Sequence, residues 1–180
     1  MPKRQTYLTL DPVSQQPDDS VQRISTHLQH TALAHPTRQR LLFALSGRPS
    51  TISRLAAQLG VNKGSVSHHL GVLSEAGLIQ EAGTRQVRGG TERYYRRTAE
   101  RLAVARPRAD GTAALFGAVA QELERSPVDH LLTLRHIRLS PAKAARLAKA
   151  LAELVDEAEE GPEGEPVHGL LVTLYQQAGT

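Results

Sequence analysis

The chain has 180 residues, with 22 Lys/Arg against 18 Asp/Glu, no cysteine and no tryptophan. The missing cysteines exclude disulfides, zinc–thiolate centres and thiol nucleophiles. The N-terminal residues lack the apolar core of a signal peptide, and no stretch approaches the roughly 20 apolar residues of a membrane span. The expectation is a cytoplasmic protein without a membrane partner.

Charge is segregated along the chain. Residues 1–108 hold 16 Lys/Arg against 7 Asp/Glu, whereas residues 109–180 hold 6 against 11. The basic first part suits a polyanion such as nucleic acid, and a merely solvated surface accounts poorly for the asymmetry.

Residues 1–19, polar and punctuated by Pro2, Pro12 and Pro17, read as a flexible N-terminal arm. A first helix is expected from a cap at Asp18, Asp19 or Ser20, with Val21, Ile24 and Leu28 recurring at helical spacing. Pro36 ends it and opens the next helix, PTRQRLLFALSG, whose Leu41, Leu42 and Leu45 face inward. Thr51 caps a third, short helix with Ile52, Leu55, Ala56 and Leu59 inward, and Gly60 closes it in the left-handed conformation. After Val61 and Asn62 a fourth helix carries Val66, Leu70 and Leu73 on one face. Two short helices joined across a glycine turn form the helix-turn-helix pattern, whose second helix enters the major groove.

The periodicity then changes to that of a hairpin over residues 80–97, with Gly89-Gly90 at the turn. Arg85, Arg88, Arg93, Arg96 and Arg97 surround that turn, and Tyr94 and Tyr95 point to opposite faces. A basic hairpin tip suits a phosphate backbone or a minor groove. Residues 98–109 read as a polar connection ending near Pro107. A fifth helix within residues 110–126 aligns Leu115, Phe116, Val119 and Leu123, and Pro127 stops it. LLTLRHIRLS alternates like a strand, SPAKAARLAKALAELVDEAEE is a helix with Ser140 as cap and Pro141 in its first turn, and VHGLLVTLYQQ reads as a buried strand. The expected fold class is mainly α with a β-hairpin wing (winged helix-turn-helix), plus a small C-terminal strand-helix-strand extension. Its parts are a 1–19 arm, a 20–98 DNA-binding domain, a 99–126 linker and dimerisation helix, and a 127–180 extension.

In this order and spacing, LAHPTRQRLLFAL, ISRLAAQLGVNKGSVSHHLGVLSEAGLI and ERYYRRT resemble the ArsR-type winged helix-turn-helix transcriptional regulators. The resemblance covers roughly residues 28–98. It implies a homodimeric repressor whose first and fifth helices pack across a two-fold axis, placing the two recognition helices, residues 63–76, in successive major grooves of a palindromic operator. Val21, Ile24, Leu28, Leu115, Phe116, Val119 and Leu123 form the expected dimer interface, because their stripes leave two apolar helix faces at the ends of a small motif. The alternative buries both stripes within one chain against the C-terminal strands.

Members of this family that sense metal offer two sites to compare. Where one has Cys-Val-Cys, this chain has Thr51, Ile52 and Ser53, and hydroxyls are poor ligands for soft metals. The other uses Asp and His on the last helix, and residues 110–126 contain no histidine. His27, His30, His35, His130, His136 and His168 are scattered, with Asp129-His130 and His136 the nearest to a group. The expectation is no metal and no cofactor.

The DNA-facing set is Thr51 together with Asn62, Lys63, Gly64, Ser65, Ser67 and His68 of the recognition helix and Arg85, Arg88 and Arg93 of the wing. Lys63 suits phosphate or guanine and the serines suit base edges or backbone. Arg38 or Arg40 adds further attraction. In GSVSHHL, adjacent residues of a helix point about 100° apart, so His68 and His69 cannot hold one ion together. His69 lies beside the buried stripe with a ring nitrogen on a backbone carbonyl, and His68 faces outward.

The function expected is sequence-specific, double-stranded DNA binding by a transcriptional regulator. The rival is a winged-helix protein-interaction module without specific DNA binding. An enzyme is not expected, for the chain has no Walker-type loop, His-Glu-x-x-His or Gly-x-Ser-x-Gly. The extension either widens the dimer interface, forms a pocket for an unidentified small-molecule effector, or gives structural support alone.

Overall fold

The computed structural model describes residues 21–88, 90–104, 108–127, 131–159, 161–162 and 164–177. The N-terminal arm, Gly89, Pro107, Asp129 and His130 lie outside the described residues. The chain divides into two compact units, residues 1–130 and 131–180.

The first unit opens with a strand where a helix was expected. β1, Val21–Ile24, pairs in parallel with β5, Arg101–Val104, in a register that sets Val21 against Arg101 and Ile24 against Val104. β-branched residues at both ends suit a strand, and a partner distant in sequence overrides the helical spacing. Gln22 fixes the pairing, its Nε2 donating to the Gly77 carbonyl (3.0 Å) and its Oε1 accepting from Thr98 Oγ1 (2.9 Å). The polar connection expected over residues 98–109 therefore contains a strand.

α1, His27–Leu33, begins later, at a capping box. Thr26 Oγ1 accepts from the Gln29 amide while Gln29 Oε1 accepts from the Thr26 amide, so two orphan donors are satisfied reciprocally. α2, Pro36–Ala44, has proline in its first turn and the His35 ring as its cap. β2, Ser50–Thr51, leads into α3, Ile52–Leu59, and then α4, Lys63–Glu75. Gly60 ends α3 at φ +70°, a left-handed position that favours glycine. β3, Ile79–Val87, and β4, Gly90–Arg97, form an antiparallel hairpin, and β2 joins the free edge of β4 to give the order β2-β4-β3. α5, Ala109–Leu123, packs against α1 and α2.

The core draws mainly on α1 to α4 and the turn after α4: Leu33, Leu41, Leu42, Leu55, Leu59, Val66, Leu70, Leu73 and Leu78 are all buried. Ala114 and Ala118 are the buried residues of α5. Small side chains there let α5 lie close to its neighbours.

The second unit contains α6, Pro141–Asp156, with Ser140 Oγ accepting from the Lys143 amide and Pro141 in the first turn, as the sequence predicts. The segments 131–140 and 166–177 carry no strand assignment, so the two strands expected there are not formed within one chain. Tyr175 Oη lies 3.4 Å from His136 Nε2 and connects the two segments. No helix among the described residues is long and apolar enough to cross a membrane.

Candidate nucleic-acid interface

α4 is anchored on one face and open on the other. Val66, Leu70 and Leu73 are buried in the core, as the 3.6-residue period requires, and His69 lies beside them with 8% of its surface exposed. Lys63, Gly64, Ser67 and His68 are exposed on the opposite side, and Ser65 is half-buried between the faces. Asn62 Oδ1 accepts from the Ser65 amide at 2.7 Å, which starts the helix and occupies the acceptor of its side chain. The helix therefore presents its first two turns, rich in small polar groups, to solvent.

The wing stands beside it. Val87 pairs with Gly90, so the hairpin closes just beyond Arg88, and Gly90 is already in strand register at φ +155°. A register shift between Glu81 and Gly83, the latter at φ +135°, bends β3 near its base. Arg85 and Arg88 are exposed near the tip. Arg93 is exposed too, but its Nη1 lies 3.0 Å from Glu81 Oε1, which cancels part of its field. Between α4 and the wing runs an open cavity of about 400 Å³, lined among others by Thr51, Ser67, Glu92, Arg93 and Tyr95.

Three sequence expectations change here. Thr51 is 3% exposed, pairs with Tyr94 in the sheet, and uses its hydroxyl to cap α3 by accepting from the Arg54 amide. It positions the helix-turn-helix from within, and only a sliver of its surface reaches the cavity wall. Arg38 donates to the carbonyls of Thr31 and Ala32, and Arg40 donates to the Leu59 carbonyl at 2.9 Å. Both arginines tie α2 to its neighbours, so neither is poised for phosphate. The backbone-carbonyl partner expected for His69 does not appear at Nδ1, which is buried without a hydrogen bond.

His69 instead packs against another imidazole. Its ring centroid is 4.5 Å from that of His35, the cap of α2, and 5.4 Å from that of His68. His35 Nδ1 accepts from the Thr37 amide at 3.1 Å. Burial, then the neighbouring Arg38 and His68, lowers the His35 pKa below the usual 6.5; burial, then His35, Arg38 and His68, lowers that of His69. In this stack, protonation puts a cation among imidazoles and beside a guanidinium. The folded state therefore binds fewer protons than the unfolded chain at mildly acid pH, and stability falls as pH drops below about 6.5 toward the lowered values. Thermal melts are expected to lose stability from about pH 7.5 to about pH 5.5, and His69→Gln to flatten that loss. A steeper loss in the variant would place the proton-sensitive group elsewhere.

The dimer-interface expectation divides in the same way. Ile24 is 2% exposed and belongs to the core of its own chain, so it cannot face a partner. Val21 and Leu28 are exposed, and Phe116 stands 47% exposed on α5, with Leu115, Val119 and Leu123 half-buried around it. On α5, Phe116 and Leu123 lie opposite the Ala114 and Ala118 face that packs within the chain, with Val119 and then Leu115 closer to its edge. Glu122, at the far end of α5, is raised in pKa by burial and held down in part by Arg40.

Among the described residues no group of three or more His, Asp or Glu side chains has the arrangement to hold a metal ion.

The helix-turn-helix geometry is matched by a family model described as a helix-turn-helix domain, over residues 33–81, which runs from the end of α1 through α4 into β3. Residues 33–81 thus carry a helix-turn-helix domain. The transcriptional repressor SdpR of Bacillus subtilis (strain 168) is 36% identical over 50 residues, covering 28% of this chain and 56% of SdpR. The chain thus matches little more than half the length of that curated relative. Among solved structures, the transcriptional repressor BigR from Xylella fastidiosa is similar at 19% identity and a TM-score of 0.35, over 54% of this chain and 84% of that one. The homodimeric winged helix-turn-helix DNA-binding domain of Mb0332 from Mycobacterium bovis is similar at 27% identity and a TM-score of 0.33, over 56% and 82%. Two features of this unit lie outside the sequence expectations: the His35–His69 contact and the capping box at Thr26. The second was legible as Thr-x-x-Gln at Thr26 and Gln29; the first joins residues that no local spacing connects.

Proposed function

We propose that this chain is a homodimeric transcriptional repressor that binds a palindromic operator through α4 and the wing. The observation that carries the reading is the split character of α4: its apolar row is locked in the core while Lys63, Gly64, Ser67 and His68 stand open in the first two turns. A helix held this way can enter a major groove without disturbing the fold, and the small residues allow close approach to base edges. Arg85, Arg88 and Arg93 extend the same basic surface to flanking phosphates. Asn62 and Ser65 shape the helix end that faces the groove.

Leu28, Leu115, Phe116, Val119 and Leu123 form the two-fold interface, with Val21 at its margin. Two recognition helices related by that axis read half-sites about 10 base pairs apart, or a multiple of it. Mobility shifts with genomic fragments and with random DNA of equal length test the reading. A clear preference for a promoter fragment supports it, and equal or absent binding favours a protein-interaction module. His68→Ala weakens the specific complex while leaving the melting temperature unchanged. Phe116→Asp, at an exposed position in one chain, is expected to give a monomer in sedimentation with at least tenfold weaker operator binding. A dimeric Phe116→Asp protein would move the interface elsewhere.

A further inference from the structure

α6 has 16 residues and none is buried within the chain. Ala144, Leu147, Leu151 and Val155 form the half-buried row turned toward the chain's own segments, while Leu154 is 66% exposed on an adjacent face. That adjacent face has a polarity. Lys143, Arg146 and Lys149 occupy its N-terminal half, Glu153 and Glu157 its C-terminal end, and Ala150 lies between them. The order runs against the helix macrodipole, which favours acids at the N-terminus and bases at the C-terminus, and the first turn contains no acid and the last turn no base. The 3.5 Å Lys149–Glu153 pair has the lysine on the N-terminal side, the weaker of the two i,i+4 orientations.

Within one chain this charge order costs stability. Against a second α6 running antiparallel it becomes complementary, because Lys143 then meets Glu157 of the other copy, Arg146 meets Glu153, and Ala150 lies beside its own counterpart at the two-fold axis. The macrodipoles also oppose each other favourably. The exposed side chains of the same unit, Leu131 at 93%, Leu134 at 74% and Leu170 at 65%, belong to segments that find no strand partner within one chain. A 50-residue unit with this surface is too small to bury its own core.

We infer that the second unit carries a self-association surface of its own, in which α6 packs antiparallel against α6 of another copy of this chain. This surface is separate from the α1/α5 interface and does not rest on DNA binding. It is isologous, so each charged contact occurs twice.

The absence of native cysteine makes the test direct. In the full chain, Ala150→Cys is expected to form a disulfide-linked dimer under mild oxidation, whereas Ala142→Cys, displaced from the two-fold axis, does not link to itself. Adding Lys143→Glu with Arg146→Glu to the Ala150→Cys chain slows cross-linking roughly tenfold, as does adding Glu153→Lys with Glu157→Lys. Mixing those two charge variants restores it as a heterodimer. Cross-linking also persists when Phe116→Asp is added, which separates this surface from the α1/α5 interface. The inference is overturned if Ala150→Cys stays monomeric, if Ala142→Cys links as readily, if the mixed charge variants fail to recover, or if Phe116→Asp abolishes the link.

Discussion

Replacing Arg85 and Arg88 together by alanine is expected to flatten the salt dependence of DNA binding more than any other surface change. Both side chains are exposed near the tip of the wing, where no core packing depends on them. Each phosphate contact contributes about 0.9 to the log–log slope of affinity against salt, so a dimer losing four contacts drops by about 3.6. Over a fourfold rise in salt, the wild-type affinity then falls roughly a hundredfold further than that of the variant. The loss should be alike for operator and random DNA, since phosphates carry no sequence information. Arg93→Ala subtracts less than a full contact, because Glu81 already shares its charge at 3.0 Å. Fluorescence anisotropy across a salt series measures the slopes, and parallel lines for wild type and double variant would remove the wing from the interface.

Leu73→Ala is the other large expectation, this time on stability. Leu73 is fully buried on the inner face of α4, in the cluster with Leu41, Leu55 and Leu78. Truncating such a leucine costs about 2–5 kcal/mol through lost burial and the cavity left behind. Against a total of about 5–15 kcal/mol for a domain, that unfolds a measurable fraction of the protein. Ser74→Ala, one residue on and exposed, should stay within about 0.5 kcal/mol. Urea denaturation distinguishes the two, and a similar midpoint for both would mean that α4 is not anchored by this row.

The contrast between Leu73 and Ser74 rests on a period the sequence displays, and much of the first unit is legible in the same way. Caps at Thr51, Asn62 and Ser140, proline at the starts of α2 and α6, and glycine at the end of α3 are local choices, each satisfied within three or four residues. The inward and outward faces of α4, including the burial of His69 and the exposure of His68, follow from 100° per residue.

What the sequence by itself determined is therefore the helix-turn-helix, its wing and the polarity of α4, because these depend on short-range periodicity and backbone hydrogen bonding. Tertiary structure alone decided the rest. Val21 and Ile24 fit a helix by spacing, yet β5 supplies a parallel partner and draws them into a strand, removing Ile24 from the expected interface. Thr51 is closed off by its pairing with Tyr94, and Arg38 and Arg40 are taken up by carbonyls on neighbouring elements. His69 meets His35 across the junction of two helices, and burial there, followed by the neighbouring His35, lowers its proton affinity. Each depends on a contact between residues far apart in the chain or on different elements, and no local pattern encodes which distant group arrives.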